Sequence, residues 1–184
     1  MNQKPFLKWT IDTIRDDKSL MHWIEERKFE WVPLAKNTIS NLLKGQAIVI
    51  LTDKEREWFS NYVINTINNP YKNRPALPFF ELKNFYPHLD LIKDSKDIDL
   101  IYDMLSISFE QGYSIWYIGS SYSERAEVAK RRDDNFLWLL DEESQDSFYL
   151  SSIDELLDLK LFQLFRLFDK TISAALFSEI DLSA

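Results

Sequence analysis

The sequence predicts an α/β fold in which helices cover both faces of a parallel β-sheet. Three apolar runs, 47–51, 115–118 and 136–140, are short and lack the polar alternation of a half-exposed strand. Such runs are typical of strands that are buried on both faces, as in parallel sheets. Segments with a helical hydrophobic period lie between the runs, and strands that alternate with helices favour a parallel sheet.

Hydrophobic period and boundary residues define the helices in chain order. We predict helices over residues 6–15, 19–27, 33–44, 55–67, 98–109, 124–132 and 153–180. Pro33 is expected to open the third helix and Gly45 to close it, because proline suits a first helical turn and glycine a C-terminal cap. Thr52 or Asp53 is expected to cap the fourth helix with its side-chain oxygen.

The three apolar runs and two weaker segments form the predicted strands. These strands cover residues 47–51, 76–82, 114–118, 136–140 and 148–150. Pro75 and Pro78 favour a position for the second strand in which missing amide donors are tolerated. No repeat or linker divides the chain, so residues 1–184 are expected to form a single domain with a full core.

Composition excludes several classes of function. The chain has no cysteine, which removes disulfides, zinc–thiolate sites and cysteine nucleophiles. Its 22 Lys and Arg stand against 30 Asp and Glu, and the net charge of −8 disfavours direct DNA binding. No stretch has the features of a signal peptide or of a membrane span, so we expect a soluble, cytoplasmic protein.

Ligand sites in such a fold lie at the carboxyl ends of the strands, which directs attention to the loops 52–54 and 119–123. The first loop has no glycine, and Asp53 would place a carboxylate where a bound phosphate should lie. The second loop contains the serines of 120–123, which can hold an anion before a helix. Serines in that position more often serve as ordinary N-caps.

No catalytic, cofactor or metal site is predicted. The two histidines, His22 and His88, have no partner at ligand or relay spacing. Adjacent acidic residues occur at 25–26 and 142–143, on polar stretches where both carboxylates are expected to be solvated.

The helix predicted over 153–180 is apolar on more of its circumference than one core requires. Its core stripe consists of Leu157, Leu161, Leu164, Phe165, Phe168, Ile172 and Ala175. Other faces carry Leu156, Leu159, Phe162 and Leu167. Either the helix is walled in on all sides by its own domain, or part of it contacts another chain. On the second interpretation we expect an oligomer whose interface includes Trp58, Phe59, Tyr62 and Phe162.

Five stretches, taken in their order along the chain, resemble the HobA family. They are EREWFSNY at 55–62, RPALP at 74–78, FYP at 85–87, FLWL at 136–139 and LFQLFRLF at 161–168. The resemblance covers nearly the whole chain. It implies a three-layer sandwich with a five-stranded parallel sheet, of the flavodoxin-like or Rossmann-like type found in sugar isomerase (SIS) proteins.

The resemblance also implies a function and a set of residues. HobA proteins are similar to DiaA and regulate replication initiation as tetramers, without catalysis, by binding the N-terminal domain of the initiator DnaA and promoting its assembly at the origin. Arg74 matches an initiator-binding arginine of DiaA-like relatives, and Leu176 and Phe177 match a leucine–phenylalanine pair near their C-terminus. Two alternatives remain open: Arg74 caps a carbonyl, and Leu176 belongs to the edge of the core.

A phosphosugar-binding protein or sugar isomerase is the alternative function, because SIS relatives carry a glycine-rich loop after the first strand. This chain has residues 51–54 there, without glycine, and keeps only the serines of the loop 119–123. The missing glycines and the lack of a paired base favour a non-enzymatic scaffold.

Overall fold

The computed structural model describes residues 3–17 and 21–182, and the elements named below belong to these residues. The helices are α1 (Phe6–Asp16), α2 (His22–Glu26), α3 (Lys28–Leu43), α4 (Glu57–Ile67), α5 (Ser95–Ser108), α6 (Glu124–Lys130) and α7 (Leu157–Leu176). The strands are β1 (Lys4–Pro5), β2 (Ala47–Thr52), β3 (Phe79–Glu81), β4 (Tyr113–Ser120), β5 (Phe136–Leu140), β6 (Ser147–Leu150) and β7 (Ile180–Asp181).

A five-stranded parallel sheet in the order β3-β2-β4-β5-β6 forms the middle layer. All residues of β2 and β5 are buried, as are the first seven of β4, so the prediction of strands covered on both faces is confirmed. The short strands β1 and β7 pair separately, which joins the two ends of the described chain.

Two apolar clusters, one on each face of the sheet, make the fold a three-layer sandwich. The larger cluster includes buried side chains of α1, α3, α4 and α7, with Trp31, Trp116 and Trp138 among its largest members. The indole rings of Trp116 and Trp138 lie 4.9 Å apart, in an edge-to-face arrangement that aromatic pairs favour. The smaller cluster packs α5 and α6 against the opposite face. The predicted fold class is therefore confirmed.

The third helix begins earlier than predicted. Pro33 does not open it but lies inside α3, which starts at Lys28. Proline removes one hydrogen bond, the one to the carbonyl four residues earlier, which here belongs to the exposed residue Phe29. Water can satisfy that carbonyl, so the helix continues through the proline. Part of the helix predicted over 19–27 lies outside the described residues, and the described part contains α2.

Two other predicted elements were too long. The strand predicted over 76–82 covers only Phe79–Glu81 and lies at the edge of the sheet, since Pro75 and Pro78 have no amide to donate. The helix predicted over 153–180 covers Leu157–Leu176 and is followed by a turn at Ser178, whose φ is 57°.

Leu167 was also misplaced, because it belongs to the core. Its side chain is fully buried in the larger cluster, although its position in the sequence suggested another face of the helix. The neighbouring helices of this layer surround α7 on more than one side. This part of its apolar surplus is therefore explained by the fold itself.

We predict that Asn135→Ala destabilises the fold by roughly 2 to 4 kcal/mol, because the Ile115 amide and the Ala129 carbonyl lose their partner and the Tyr102 hydroxyl keeps its bond to the Val128 carbonyl but loses the amide. The buried Asn135 amide accepts from the Ile115 amide at 2.8 Å and donates to the Ala129 carbonyl at 2.7 Å and the Tyr102 hydroxyl at 3.2 Å. Urea unfolding measures the change. The exposed control Asn61→Ala should stay within about 0.5 kcal/mol of the parent, and equal effects of the two variants would contradict this role.

Candidate protein-interaction site

Arg74 connects the C-terminal end of α4 to the middle of α7. Its guanidinium donates to the Ile67 carbonyl at 2.6 Å, to the Asp169 carboxylate at 2.5 Å and to the Ser173 hydroxyl at 2.7 Å. A fourth bond, of 3.2 Å, reaches the Asp169 carbonyl. Lys72 adds a second cation 2.6 Å from the same carboxylate. We call this set of contacts the Arg74 clamp.

The clamp is buried, which bears on the role of Arg74. Only 2% of its side chain is exposed, so in this conformation it supports the surface and does not form it. The geometry agrees with the alternative that Arg74 caps a carbonyl, because Ile67 is the last residue of α4. A cation at a helix C-terminus is also favoured by the helix dipole.

Phe177 lies one helical turn beyond the clamp and is accessible. Its amide donates to the carbonyl of Ser173, whose hydroxyl contacts Arg74, and its side chain is 54% exposed. Leu176 is partly buried against the larger core cluster, in agreement with a place at the edge of the core. The following turn is held by a 2.8 Å bond from the Glu179 amide to the Ala174 carbonyl. Phe177 is therefore an exposed aromatic on a fixed backbone.

An aromatic patch lies on the same layer, where α4 and α7 meet. We define it as Trp58, Tyr62, Leu159 and Phe162. The Phe162 ring lies 4.8 Å from that of Tyr62 and 5.5 Å from that of Trp58. Trp58 is 39% and Tyr62 is 40% exposed, and Leu159 is also exposed. A groove of about 470 Å³ beside the patch extends to Asp169, which links the patch to the clamp.

Phe59 differs from the other predicted interface residues. Its side chain is fully buried, and its ring lies 6.3 Å from that of Trp138 in the core. It faces inward because α4 presents that side to the sheet. Phe59 therefore supports the aromatic patch from below and offers no surface to a partner.

The loops at the carboxyl ends of the strands are closed by internal contacts. Asp53 caps the helical turn that leads into α4, as predicted, by accepting from the Arg56 amide at 3.0 Å. Ser123 caps α6, and Ser120 accepts from the Tyr122 amide. Ser123 thus acts as an ordinary helix cap and Ser120 stabilises the turn before it, while the buried Ser121 hydroxyl has no hydrogen-bond partner within the described part of the chain.

Arg125 is a buried charge that sequence reasoning missed. It contacts the Thr52 carbonyl and the carboxylates of Glu57 and Asp90 at 2.7 to 3.1 Å. Burial lowers the pKa of Arg125, but the hydrogen bonds that its guanidinium donates to the carboxylates of Glu57 and Asp90 outweigh this effect and raise the pKa overall. The sequence feature that could have indicated this role is the position of Arg125 in the first turn of the helix after the loop 119–123. These contacts tie α6 to the end of β2.

No further chemistry emerges from the described part of the chain. Residues 3–17 and 21–182 contain no group of three or more histidine, aspartate or glutamate side chains that could hold a metal ion. In the same residues, no helix is both long enough and apolar enough to span a membrane.

We predict that Arg74→Ala destabilises the fold by about 2 to 4 kcal/mol, since the Ile67 carbonyl and the Ser173 hydroxyl lose a donor and the Asp169 carboxylate keeps Lys72 but loses Arg74. Urea unfolding tests this value. As a control, Arg131→Ala removes an exposed pair with Asp99 and should cost at most about 1 kcal/mol. A loss below about 1 kcal/mol for Arg74→Ala would show that the clamp does not stabilise the α4–α7 contact.

Comparison with known proteins gives one consistent result. The model of the HobA family, described as a DNA replication regulator, matches residues 1–182. The DNA replication regulator protein HobA of Helicobacter pylori is 29% identical, over 97% of this chain and 99% of that protein.

Solved structures agree with the sequence comparison. The crystal structure of HobA from Helicobacter pylori has a TM-score of 0.76 and 26% identity, with 98% of this chain and 99% of that chain covered. A HobA–DnaA (domain I-II) complex from the same organism has a TM-score of 0.73 and 27% identity, with 97% and 99% covered. The chain therefore belongs to the HobA family of DNA replication regulators.

Proposed function

We propose that this protein is a non-enzymatic regulator of chromosomal replication initiation that binds the N-terminal domain of DnaA in the cytoplasm. The similarity to HobA in a HobA–DnaA (domain I-II) complex supports the partner, because it covers 97% of this chain. The observation in this structure that carries the proposal is the exposed aromatic residue Phe177 on the fixed turn at the end of α7, in a molecule whose strand-end loops are occupied by internal contacts. Such an exposed aromatic residue suits contact with a protein.

Phe177 is the proposed contact residue at the centre of the initiator site. It is accessible and is held on a fixed turn, so little conformational entropy is lost when a partner covers it. Leu176 borders it at the edge of the core. Arg74 acts as a positioning residue, because it holds the turn of α7 that carries Ser173 against the end of α4.

The aromatic patch is proposed to bind a second copy of the chain. Complete burial of a fully exposed aromatic or leucine side chain contributes about 1.5 to 3 kcal/mol. Three side chains of the patch, Trp58, Tyr62 and Leu159, are 39 to 48% exposed and would each contribute part of that amount. An oligomer, for which we propose a tetramer with SIS-like subunits, would present several initiator sites at once. Initiator domains held close together have a high effective concentration, so weak contacts between DnaA molecules become favourable.

A direct role of this protein on DNA does not fit its charge. The net charge of −8 repels a phosphate backbone, so we propose that the protein acts through the initiator. The alternative, a phosphosugar-binding or isomerase protein, is disfavoured because Asp53 already bonds the Ser120 amide at 2.6 Å in the loop where a phosphate would bind.

We predict that Phe177→Ala weakens binding of the isolated DnaA N-terminal domain by about thirtyfold, which corresponds to a hot-spot loss of about 2 kcal/mol. Calorimetric titration measures the affinity. Ile107→Ala is the matched control, since Ile107 is an apolar residue that is 82% exposed on α5, on the opposite layer. If both variants bind like the parent while their melting and assembly are unchanged, the contact site lies elsewhere.

We predict that the parent sediments as an oligomer of its 21.9 kDa chain at micromolar concentration. Trp58→Asp should shift it to smaller species, because the substitution places a charge in the proposed interface. Tyr122→Asp changes an exposed aromatic outside the aromatic patch and should leave the assembly intact. A parent that sediments as a clean monomer would refute the scaffold, although not the initiator contact.

A further inference from the structure

A cavity lies at the point of the sheet where ligands usually bind in this class of fold. The chain passes from β2 to β3 on one side and then to β4 on the other, so the loops after β2 and β4 diverge. Such a switch point is the usual ligand position of an open parallel sheet. The cavity has a volume of about 380 Å³, and its lining includes Asp53, Arg56, Ser120, Ser123 and Ser152.

The carboxylate of Asp53 is bound there in the way that an external anion would be. One oxygen accepts from the Ser120 amide at 2.6 Å and from the Arg56 guanidinium at 2.7 Å, and the other accepts from the Arg56 amide at 3.0 Å. Only 7% of the Asp53 side chain is exposed. Two backbone amides and a guanidinium are also the donors that a protein offers to a phosphate group.

Gly119 shows how closely the carboxylate fits. A β-carbon at this position would lie 2.7 Å from both the Cγ and one carboxylate oxygen of Asp53, which is shorter than any normal contact. The glycine at the end of β4 therefore leaves room for the carboxylate. In a ligand-binding loop, glycine gives a phosphate the same close approach.

We propose that this cavity is a latent binding site for a tetrahedral oxyanion, such as phosphate or a phosphate monoester, which the chain keeps filled with its own Asp53 carboxylate. In the natural protein the charge and the volume of Asp53 exclude the external anion. Removal of the carboxylate would leave the Ser120 amide without an acceptor. The Arg56 amide would keep its 3.3 Å bond to the Asp53 carbonyl, and the Arg56 guanidinium would keep its pair with Glu55. The Ser123 and Ser152 hydroxyls also line the cavity, where they bond the Arg125 amide and the Asp141 carboxylate.

Neighbouring charges limit the affinity of such a site. Hydrogen bonds from the Ser152 hydroxyl and amide lower the pKa of Asp141, so this carboxylate at the rim stays charged. Glu55 also pairs with Arg56, at 2.7 Å. These two carboxylates near one guanidinium weaken the attraction of the site for a phosphate. This inference concerns a different part of the molecule from the proposed initiator site, so either can fail without the other.

The test is thermal melting of the parent and of Asp53→Ser in inorganic phosphate and in chloride of equal ionic strength. Serine keeps an N-cap oxygen and removes the charge. We expect phosphate at ten times its dissociation constant to raise the melting temperature of Asp53→Ser by about 3 to 6 °C, in a saturable way. This rise is counted beyond the shift that the parent shows in the same salts. The parent comparison removes the general stabilisation that phosphate gives to folded proteins.

A second variant, Asp53→Ser with Arg56→Gln, identifies the site and should lose the phosphate effect. Asp53→Ser that folds only in phosphate would also support the proposal, because the external anion then replaces the carboxylate. The proposal is overturned if the melting temperature of Asp53→Ser is the same in both salts once the shift of the parent is subtracted. It is also overturned if Asp53→Ser stays unfolded in both salts. A saturable, specific phosphate shift in the parent would equally refute the claim that Asp53 closes the site.

Discussion

The Arg74–Asp169 ion pair is the interaction on which the proposed surface depends. The Arg74 guanidinium donates to the Asp169 carboxylate of α7, 95 residues later in the sequence, and also to the last carbonyl of α4. The aromatic patch is built from these two helices, and Phe177 follows one turn after Ser173, which the same guanidinium contacts. The Arg74 side chain is buried, so its removal costs the Ile67 carbonyl and the Ser173 hydroxyl a donor and leaves the Asp169 carboxylate with Lys72 as its cation. An arginine in this position can therefore affect partner binding without touching the partner.

The carboxyl edge of the sheet and the surface of α4 and α7 differ in what they offer to a ligand or partner. At the carboxyl edge of the sheet, where α/β proteins usually bind small molecules, Asp53 and the serine caps satisfy the loop amides internally. On the helical layer of α4 and α7, exposed aromatic side chains remain uncovered. A closed ligand edge and an open apolar face together suit a protein that assembles other proteins.

Local patterns predicted the sheet well because each buried strand is an uninterrupted apolar run, and residues 136–140 match β5 at both ends. The cap at Asp53 was also predictable, since its partner lies three residues away. Contacts between segments that are distant in the sequence could not be predicted in this way. The hydrophobic pattern of α4 did not distinguish the buried Phe59 from the exposed Trp58. No residue close to Arg74 in the sequence indicates that Asp169 is its partner. Pro33 misled because a proline inside a helix is tolerated where water reaches the carbonyl it leaves unpaired.

The central claim is that the initiator domain binds the surface at the end of α7, and site-specific photo-crosslinking tests it most directly. A photoreactive phenylalanine analogue would replace Phe177 in one variant and Ile107 in another, since both positions are exposed and they lie on opposite layers. With the DnaA N-terminal domain added, our account predicts a crosslink from position 177 and none from position 107. A crosslink from position 107 alone would contradict it.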